Sequence, residues 1–437
     1  MNGGVTKIAR VLHGAAFCSC DAESPRAEPT RRSRARGGSV HLVIDFALSD
    51  DLVALRDRVR AFVDREVVPL EARLRGESPS QETIAHLRAK ARAEGIYGPH
   101  LARELGGLGL DWRSVAVVFE AAGRSLLGPL ALNGAAPDEG NMHLLHEVAS
   151  PAQAERYLRP LAAGEIRSCF AMTEPAPGAG SDPGMLRTRA RKVAGGWVID
   201  GEKWFITGAE GAAFAICMAR TSDDPDGRRG ATMFLVDASN PGMRVRRRIG
   251  TLDHVTPGGH CAVAFEACEV SDDAVLGEVD EGFRYAQLRL APARLTHCMR
   301  WLGVATRAQE IAVVRAAQRT AFGKRLGEHQ GVAFQLADTE IELHAARLMI
   351  WHTAWMLDRG EHARHESSMA KTFVAEAVFR AVDRSLQVCG SLGVSDDIPL
   401  GAFLRESRPF RIYDGPSEVH RMAIAARLFR RYEASKR

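Results

Sequence analysis

Nowhere in these 437 residues does an apolar run approach the ~20 residues needed to span a bilayer, so an integral membrane protein is not expected. None of the fifteen histidines belongs to an H-E-x-x-H, and no Rossmann G-x-G-x-x-G opens a βαβ unit. Zincin chemistry and nicotinamide binding are therefore not expected. Cysteine is scattered, at 18, 20, 169, 217, 261, 268, 298 and 389, and only Cys18 and Cys20 are neighbours. A C-x-C with no second pair at metal spacing is weak ground for zinc; no metal site is expected, and reduced thiols in a cytoplasmic protein are. Charge is missing where a nucleic acid would need it. Residues 1–39 hold seven basic and three acidic side chains and so account for the whole formal +4, leaving 51 of each sign in the remaining 398 residues. A broad basic surface is not called for. No repeat of 20 to 50 residues is apparent.

What is present, 46% hydrophobic and 26% charged residues over this length, suits a globular chain of two or three subdomains. The Ser/Arg/Gly-rich leader 1–39 reads as disordered. A transit peptide is one alternative, and a valine-encoded start at Val40 is the preferred one, because VHLVIDFALSDD opens the patterned sequence. From 41 to 165 the pattern is helical. Ser49 offers an N-cap to a helix ending near Leu74, and further helices are predicted over Gln81–Arg92, Trp112–Ala122 and Pro151–Ala162. Glu104–Leu110, ELGGLGL, reads as a loop.

The texture changes to strand over 166–277. WVIDGEKWFITGA predicts a hairpin turning at Asp200-Gly201, followed by strands at Phe214–Arg220, Ala231–Asp237, Met243–Arg247 and Cys261–Val270. From 278 to 437 long helical patterns return, over Arg284–Thr320, His329–Asp358, Ser367–Ser391 and Ser417–Arg431, as in a bundle. His344, His352, His362 and His365 are expected at the surface.

Two segments carry chemistry. TEPAPGAGSDP, Thr173 to Pro183, is a Gly/Pro-crowded turn whose hydroxyls can meet an electron-rich ring, and RIYDGPSEVH, Arg411 to His420, sets an acid between an aromatic and a Gly. With GEKWFITGA, RTAFGKRLGEHQ and LQVCGSLGV they stand in an order that resembles the acyl-CoA dehydrogenases, from about residue 41 to the end. APDEGNMHLL, LTHCMR and DGPSEVH look most like the branch whose animal members are fused to a phosphotransferase-like domain.

The resemblance implies the acyl-CoA dehydrogenase fold: an N-terminal α-helical domain, a middle β domain of barrel or sandwich type and a C-terminal four-helix bundle. It implies FAD, with Phe170, Met172 and Thr173 along the isoalloxazine and Phe205 and Thr207 on its other side. Arg319, Phe322 and His329 would reach the FAD of a neighbouring subunit, with Gln387, Gly390 and Ser391 receiving its other end and Pro416 and Glu418 near the adenosine side. Ser181, Arg294 and Gly415 would contact the acyl-CoA, and Asp414 would be the α-proton base, with a pKa raised by desolvation. The other family location for a base holds Ala293.

The implied reaction makes a trans-2-enoyl-CoA, in fatty-acid β-oxidation, with electrons passing to an electron-transfer flavoprotein. A homodimer or a dimer of dimers is implied, in the cytoplasm, or the mitochondrial matrix in a eukaryote. Two alternatives stay open: a nitroalkane-oxidase-like enzyme with the same Asp base, and a non-catalytic DNA-binding flavoprotein relative. The acyl chain is not legible.

Overall fold

The computed structural model describes residues 44–223 and 229–436, so the leader, Cys18, Cys20 and the Val40 start lie outside the described residues. Phe46–Arg437 forms one compact unit. The six described cysteines are free and buried, and no described helix is long and apolar enough to cross a membrane.

The N-terminal helices are α1 (Asp50–Phe62), α2 (Val68–Leu74), α3 (Gln81–Ala93), α4 (Trp112–Ala122), α5 (Gly128–Ala131), α6 (Asp138–Val148), α7 (Pro151–Gln153) and α8 (Arg159–Ala162). Ser49 caps α1 by accepting the Leu52 N–H at 3.3 Å. α1 runs into α2, and α7 into α8, through π turns at Val63–Val67 and Ala154–Leu158, each just before a proline, Pro69 or Pro160. A proline has no N–H for the regular ladder and crowds the carbonyl four residues back; the wider turn accommodates both. The helix α6 and the short α5 go beyond the predicted set. α6 buries Asp138, Glu139 and Asn141, so its polarity masked it in the sequence.

The middle of the chain forms β1 (Ser168–Ala171), β2 (Arg189–Val193), β3 (Gly196–Thr207), β4 (Phe214–Arg220), β5 (Ala231–Asp237), β6 (Met243–Ile249), β7 (His260–Ser271) and β8 (Val275–Leu276). The strand order is β6-β7-β3-β2-β4-β5-β8, with β1 parallel to β4. β4 is buried throughout because both faces are covered. Ala215, Cys217 and Ala219 share a core with Ile199, Phe234 and Phe265; Phe214, Ile216 and Met218 pack against Leu145, Tyr157 and Leu161 of the helices.

The hairpin expected at Asp200-Gly201 is not there. β3 runs straight through both residues with a register shift against β7 between Ile199 and Gly201. Gly201 sits at φ +155°, where a Cβ would lie 2.5 Å from the Thr188 hydroxyl, and Asp200 Oδ1 accepts the Ala267 N–H at 2.7 Å across the irregularity. An Asp-Gly pair serves a bulge as well as a turn. The actual β2–β3 turn is at Ala194-Gly195, with Gly195 at φ +75°.

The C-terminal part holds α9 (Gly282–Gln318), a β9–β10 hairpin (Thr320–Ala321, Lys324–Arg325), α10 (Gln330–Asp358), α11 (Arg364–Cys389), α12 (Leu400–Ser407) and α13 (Ser417–Ala434). Leu295, Met299 and Leu302 of α9 pack with Ile350 of α10 and Val374 and Val378 of α11. His344, His352 and His362 are exposed as expected, but His365 is buried in the first turn of α11. Gly123, after α4, and Gly303 of α9 let two backbones touch: a Cβ on Gly123 would meet the Arg300 carbonyl oxygen at 2.1 Å. That contact sets α9 against the N-terminal helices.

The Thr173–Pro183 loop is held by one buried carboxylate. Glu174 accepts from the backbone N–H groups of Ala179, Arg187 and Thr188 at 3.2, 2.7 and 2.8 Å, and from Lys203 Nζ at 2.9 Å. Lys203, fully buried on β3, also donates to the Met172 carbonyl at 3.1 Å. Removing one partner leaves a buried charge unpaired. Glu174→Gln is expected to lose about 3–5 kcal/mol of stability in denaturant unfolding, and Glu174→Gln with Lys203→Met much less.

Candidate active site around Asp414

The segment before α13 is gripped from three helices. After a 3-10 turn at Arg408–Arg411, Asp414 and Gly415 both take positive φ, +54° and +100°. Lys371 of α11 donates to the carbonyls of Phe410 and Gly415, both at 2.8 Å. Arg294 Nε of α9 donates to the Asp414 carbonyl at 2.9 Å, and His420 Nε2 of α13 to the same oxygen at 3.2 Å. Burial, with the charges of Arg294 and Lys371, pushes His420 down to about 4, so its ring is neutral at pH 7. These bonds hold an Asp in a left-handed conformation that few non-glycine residues adopt.

The Asp414 carboxylate points back at α9, with Oδ2 3.2 Å from His297 Nε2 and 20% of the side chain open to solvent. Behind His297, Arg300 Nη2 bonds the imidazole Nδ1 at 3.1 Å and Nη1 donates to the Gly134 carbonyl at 2.7 Å. Glu139 of α6 lies 3.6 Å from Arg300 and accepts the Thr296 hydroxyl at 3.0 Å. Arg289, on the same helix, donates to Asn141 Oδ1 at 2.7 Å and covers the Phe170 ring at 4.1 Å. Asn141 in turn donates to Ser168 Oγ at 2.8 Å, and Ser168 to Asp138 at 2.6 Å.

This environment corrects one expectation. Burial does push the Asp414 carboxyl upward, but the His297 hydrogen bond and the charges of Arg289 and Arg294 outweigh it and hold the group well below the usual carboxylate range. Without bound substrate it is ionised across neutral pH.

The other predicted residues fall into separate groups. Arg294, Asp414 and Gly415 come together here, with Phe170 joined through Arg289. On β3, Phe205 is half exposed at φ +53° and stacks on Trp204 at 5.3 Å, while Thr207 Oγ1 lies 2.9 Å from His260 Nδ1, whose Nε2 lies 2.8 Å from Asp253. Met172 and Thr173 follow β1, and Ser181 is exposed on its loop. Arg319 closes α9; Phe322, 95% exposed at φ +51°, meets the His329 ring at 6.3 Å edge-on. Gln387, Gly390 and Ser391 are exposed at the end of α11, Pro416 precedes α13, and Glu418 is exposed in its first turn. His297, Arg289, Arg300, Glu139 and Lys371 were not foreseen as site residues. Two of the segments singled out for likeness, APDEGNMHLL and LTHCMR, contain three of them, but their meeting is long-range.

The chain belongs to the acyl-CoA dehydrogenase family. Family models match its N-terminal domain at 49–165, its middle domain at 169–268 and its C-terminal domain at 280–429. "Probable acyl-CoA dehydrogenase FadE2" of Mycobacterium tuberculosis is 37% identical over 87% of this chain and 96% of its own length. "Acyl-CoA dehydrogenase family member 10" of Mus musculus is 34% identical over 90% of this chain, which spans 38% of that longer protein. Among solved structures, butyryl-CoA dehydrogenase of Megasphaera elsdenii superposes with a TM-score of 0.80 at 26% identity, over 88% of this chain and all of that one.

Lys371 gives the site a measurable signature. Burial pushes its ammonium down to about 8, so between pH 8 and 10.5 the unfolded chain binds the proton that the folded chain has released. Stability therefore rises with pH in that window, by about 2 kcal/mol between pH 7.5 and 9.5 from this residue. Denaturant unfolding at the two pH values is expected to show the rise in the native chain and to lack it in Lys371→Met.

Proposed function

We propose that this dehydrogenase oxidises an acyl-CoA thioester to its trans-2-enoyl-CoA, with Asp414 as the base that removes the α proton. The observation that carries the reading is the placement of the Asp414 carboxylate: one-fifth open, facing His297, with Arg289 and Arg294 close enough to lower its pKa, while Ala293 fills the alternative base position. A base held this low owes its rate to placement more than to proton affinity, and its fixed backbone supplies the placement. Arg289 and Arg294 offset the negative charge that develops on the thioester as the proton leaves. Gly415 and Ser181 lie along the acyl-CoA in this reading.

The cofactor in this reading is FAD, which when bound accepts the β hydrogen as hydride. What supports it is the donor set: a half-exposed Phe205 ring in a strained backbone, a buried Trp204 Nε1 with no acceptor among the described residues, and the Thr207 hydroxyl. Phe170, Met172 and Thr173 complete that cradle. Arg319 offers a guanidinium suited to pyrophosphate, and the almost wholly exposed Phe322 beside it suits contact with a second copy of the chain. Arg319, Phe322 and His329 from one subunit, with Gln387, Gly390, Ser391, Pro416 and Glu418 from another, would hold one FAD in a homodimer or dimer of dimers. Electrons then pass to an electron-transfer flavoprotein. Cytoplasmic residence, or the matrix in a eukaryote, is supported by six free described thiols.

The test is anaerobic titration of the purified yellow protein with short, medium, long and branched acyl-CoAs and a nitroalkane. One acyl-CoA class is expected to bleach the flavin, and Asp414→Asn to slow that bleaching by about 10²- to 10⁴-fold. Bleaching by the nitroalkane alone, or an unaffected Asp414→Asn, overturns the reading.

A further inference from the structure

His297 is the polar side chain that meets the Asp414 carboxylate, and the reaction as described gives it no task. Its protonation state follows from its neighbours. Arg300 has only donors, so the imidazole Nδ1 that faces Arg300 Nη2 at 3.1 Å must carry the lone pair. The ring proton is then on Nε2, 3.2 Å from Asp414 Oδ2, an oxygen that can only accept. Arg300 cannot turn away, because the Gly134 carbonyl and Glu139 hold its other side. The His297 side chain is 12% exposed, with its ring 4.8 Å from that of Tyr413. Burial and the Arg300 charge both push its pKa below the ordinary value.

A neutral imidazole with both nitrogens committed cannot take the α proton from Asp414. It has no vacant site for one. What it can do is fix the carboxylate rotamer and occupy the space beyond it. We propose that His297 is a tautomer-locked positioning residue, whose Nε2–H aims the short Asp414 base and whose ring leaves no room for a longer one. The chain of contacts runs from Gly134 and Glu139 through Arg300 and His297 to Asp414, so α6 and the loop before it act on the base without touching it. This inference rests on the reading of Asp414 as the base.

The charged and titratable groups facing Asp414 are Arg289, Arg294 and His297 from α9, Lys371 from α11, His420 from α13 and the neighbouring Tyr413, with Arg300 and Glu139 behind His297. Of these, His297 alone is the side chain that comes within 3.2 Å of a carboxylate oxygen, so its loss has a signature that a general loosening lacks.

The experiment uses the full-length, FAD-loaded protein carrying ¹³C-carboxyl aspartate, with the Asp414 resonance assigned by its loss in Asp414→Asn. In His297→Leu the carboxyl is expected to titrate about one to two pH units higher than in the native protein. His297→Gln, whose amide can still donate, is expected to restore most of the difference. The bleaching rate with the most reactive acyl-CoA of the panel adds a second arm. Asp414→Glu is expected to lose about 10²-fold, and Asp414→Glu with His297→Ala to recover at least tenfold over Asp414→Glu alone. An unmoved titration in a His297→Leu protein of native circular dichroism and FAD content overturns the proposal, as does an Asp414→Glu variant as fast as the native enzyme. Failure of the base assignment is distinct: Asp414→Asn would then bleach at the native rate.

Discussion

Three arginines and a histidine line one helix where little solvent reaches, Arg289 and Arg300 buried and Arg294 and His297 partly so, and the molecule is arranged around satisfying them. Arg289, Arg294, His297 and Arg300 of α9 have little water to turn to, and a buried cation without acceptors costs several kcal/mol. Their acceptors come from elsewhere in the chain: Asn141 for Arg289, the Asp414 carbonyl for Arg294, the Asp414 carboxylate for His297, and the Gly134 carbonyl for Arg300. The N-terminal helices and the C-terminal segment are thus joined through α9 by charge rather than by apolar packing alone. The Gly123–Gly303 contact makes this possible by bringing the backbones close enough for short side-chain reach.

The same constraint explains what was legible beforehand. β4, β5 and α4 stood out at their observed limits, because continuous apolar runs and helical periodicity reflect local burial that a sequence displays directly. α6 was hidden because its buried face is acidic and amidic, and its partners lie on β1, about 30 residues on, and on α9, about 150 residues on. His297 and Arg300, at i and i+3, look locally like an ordinary helix surface. Asp414 was legible as a candidate, yet its ionisation was misjudged: desolvation is a property of the residue's own burial, whereas the opposing donor and cations arrive from other elements. Asp200-Gly201 shows the same limit on a smaller scale, since whether Asp-Gly makes a turn or a bulge depends on what packs against the glycine.

The Thr173–Pro183 loop illustrates a different economy. Its prolines and glycines impose little regular structure, and one carboxylate, Glu174, collects three backbone N–H groups and a buried ammonium. A loop anchored at a single interior point can lengthen or shorten at its tip without disturbing β1 and β2 on either side. Thr173, next to that anchor, is tied to β3 through its carbonyl, which accepts the Trp204 N–H at 2.8 Å.

The clamp on Asp414 and Gly415 also bears on chemical ageing. An aspartate followed by glycine is prone to cyclise when the glycine nitrogen swings onto the carboxyl carbon, yielding a succinimide and then an isoaspartate. Here the carbonyls on both sides of that nitrogen are held, by Arg294 and His420 on one residue and by Lys371 on the other, while the carboxylate is turned to His297. Ring closure therefore requires the segment to open first, so the lifetime of this dipeptide on storage is set by local unfolding rather than by the intrinsic reactivity of the bond.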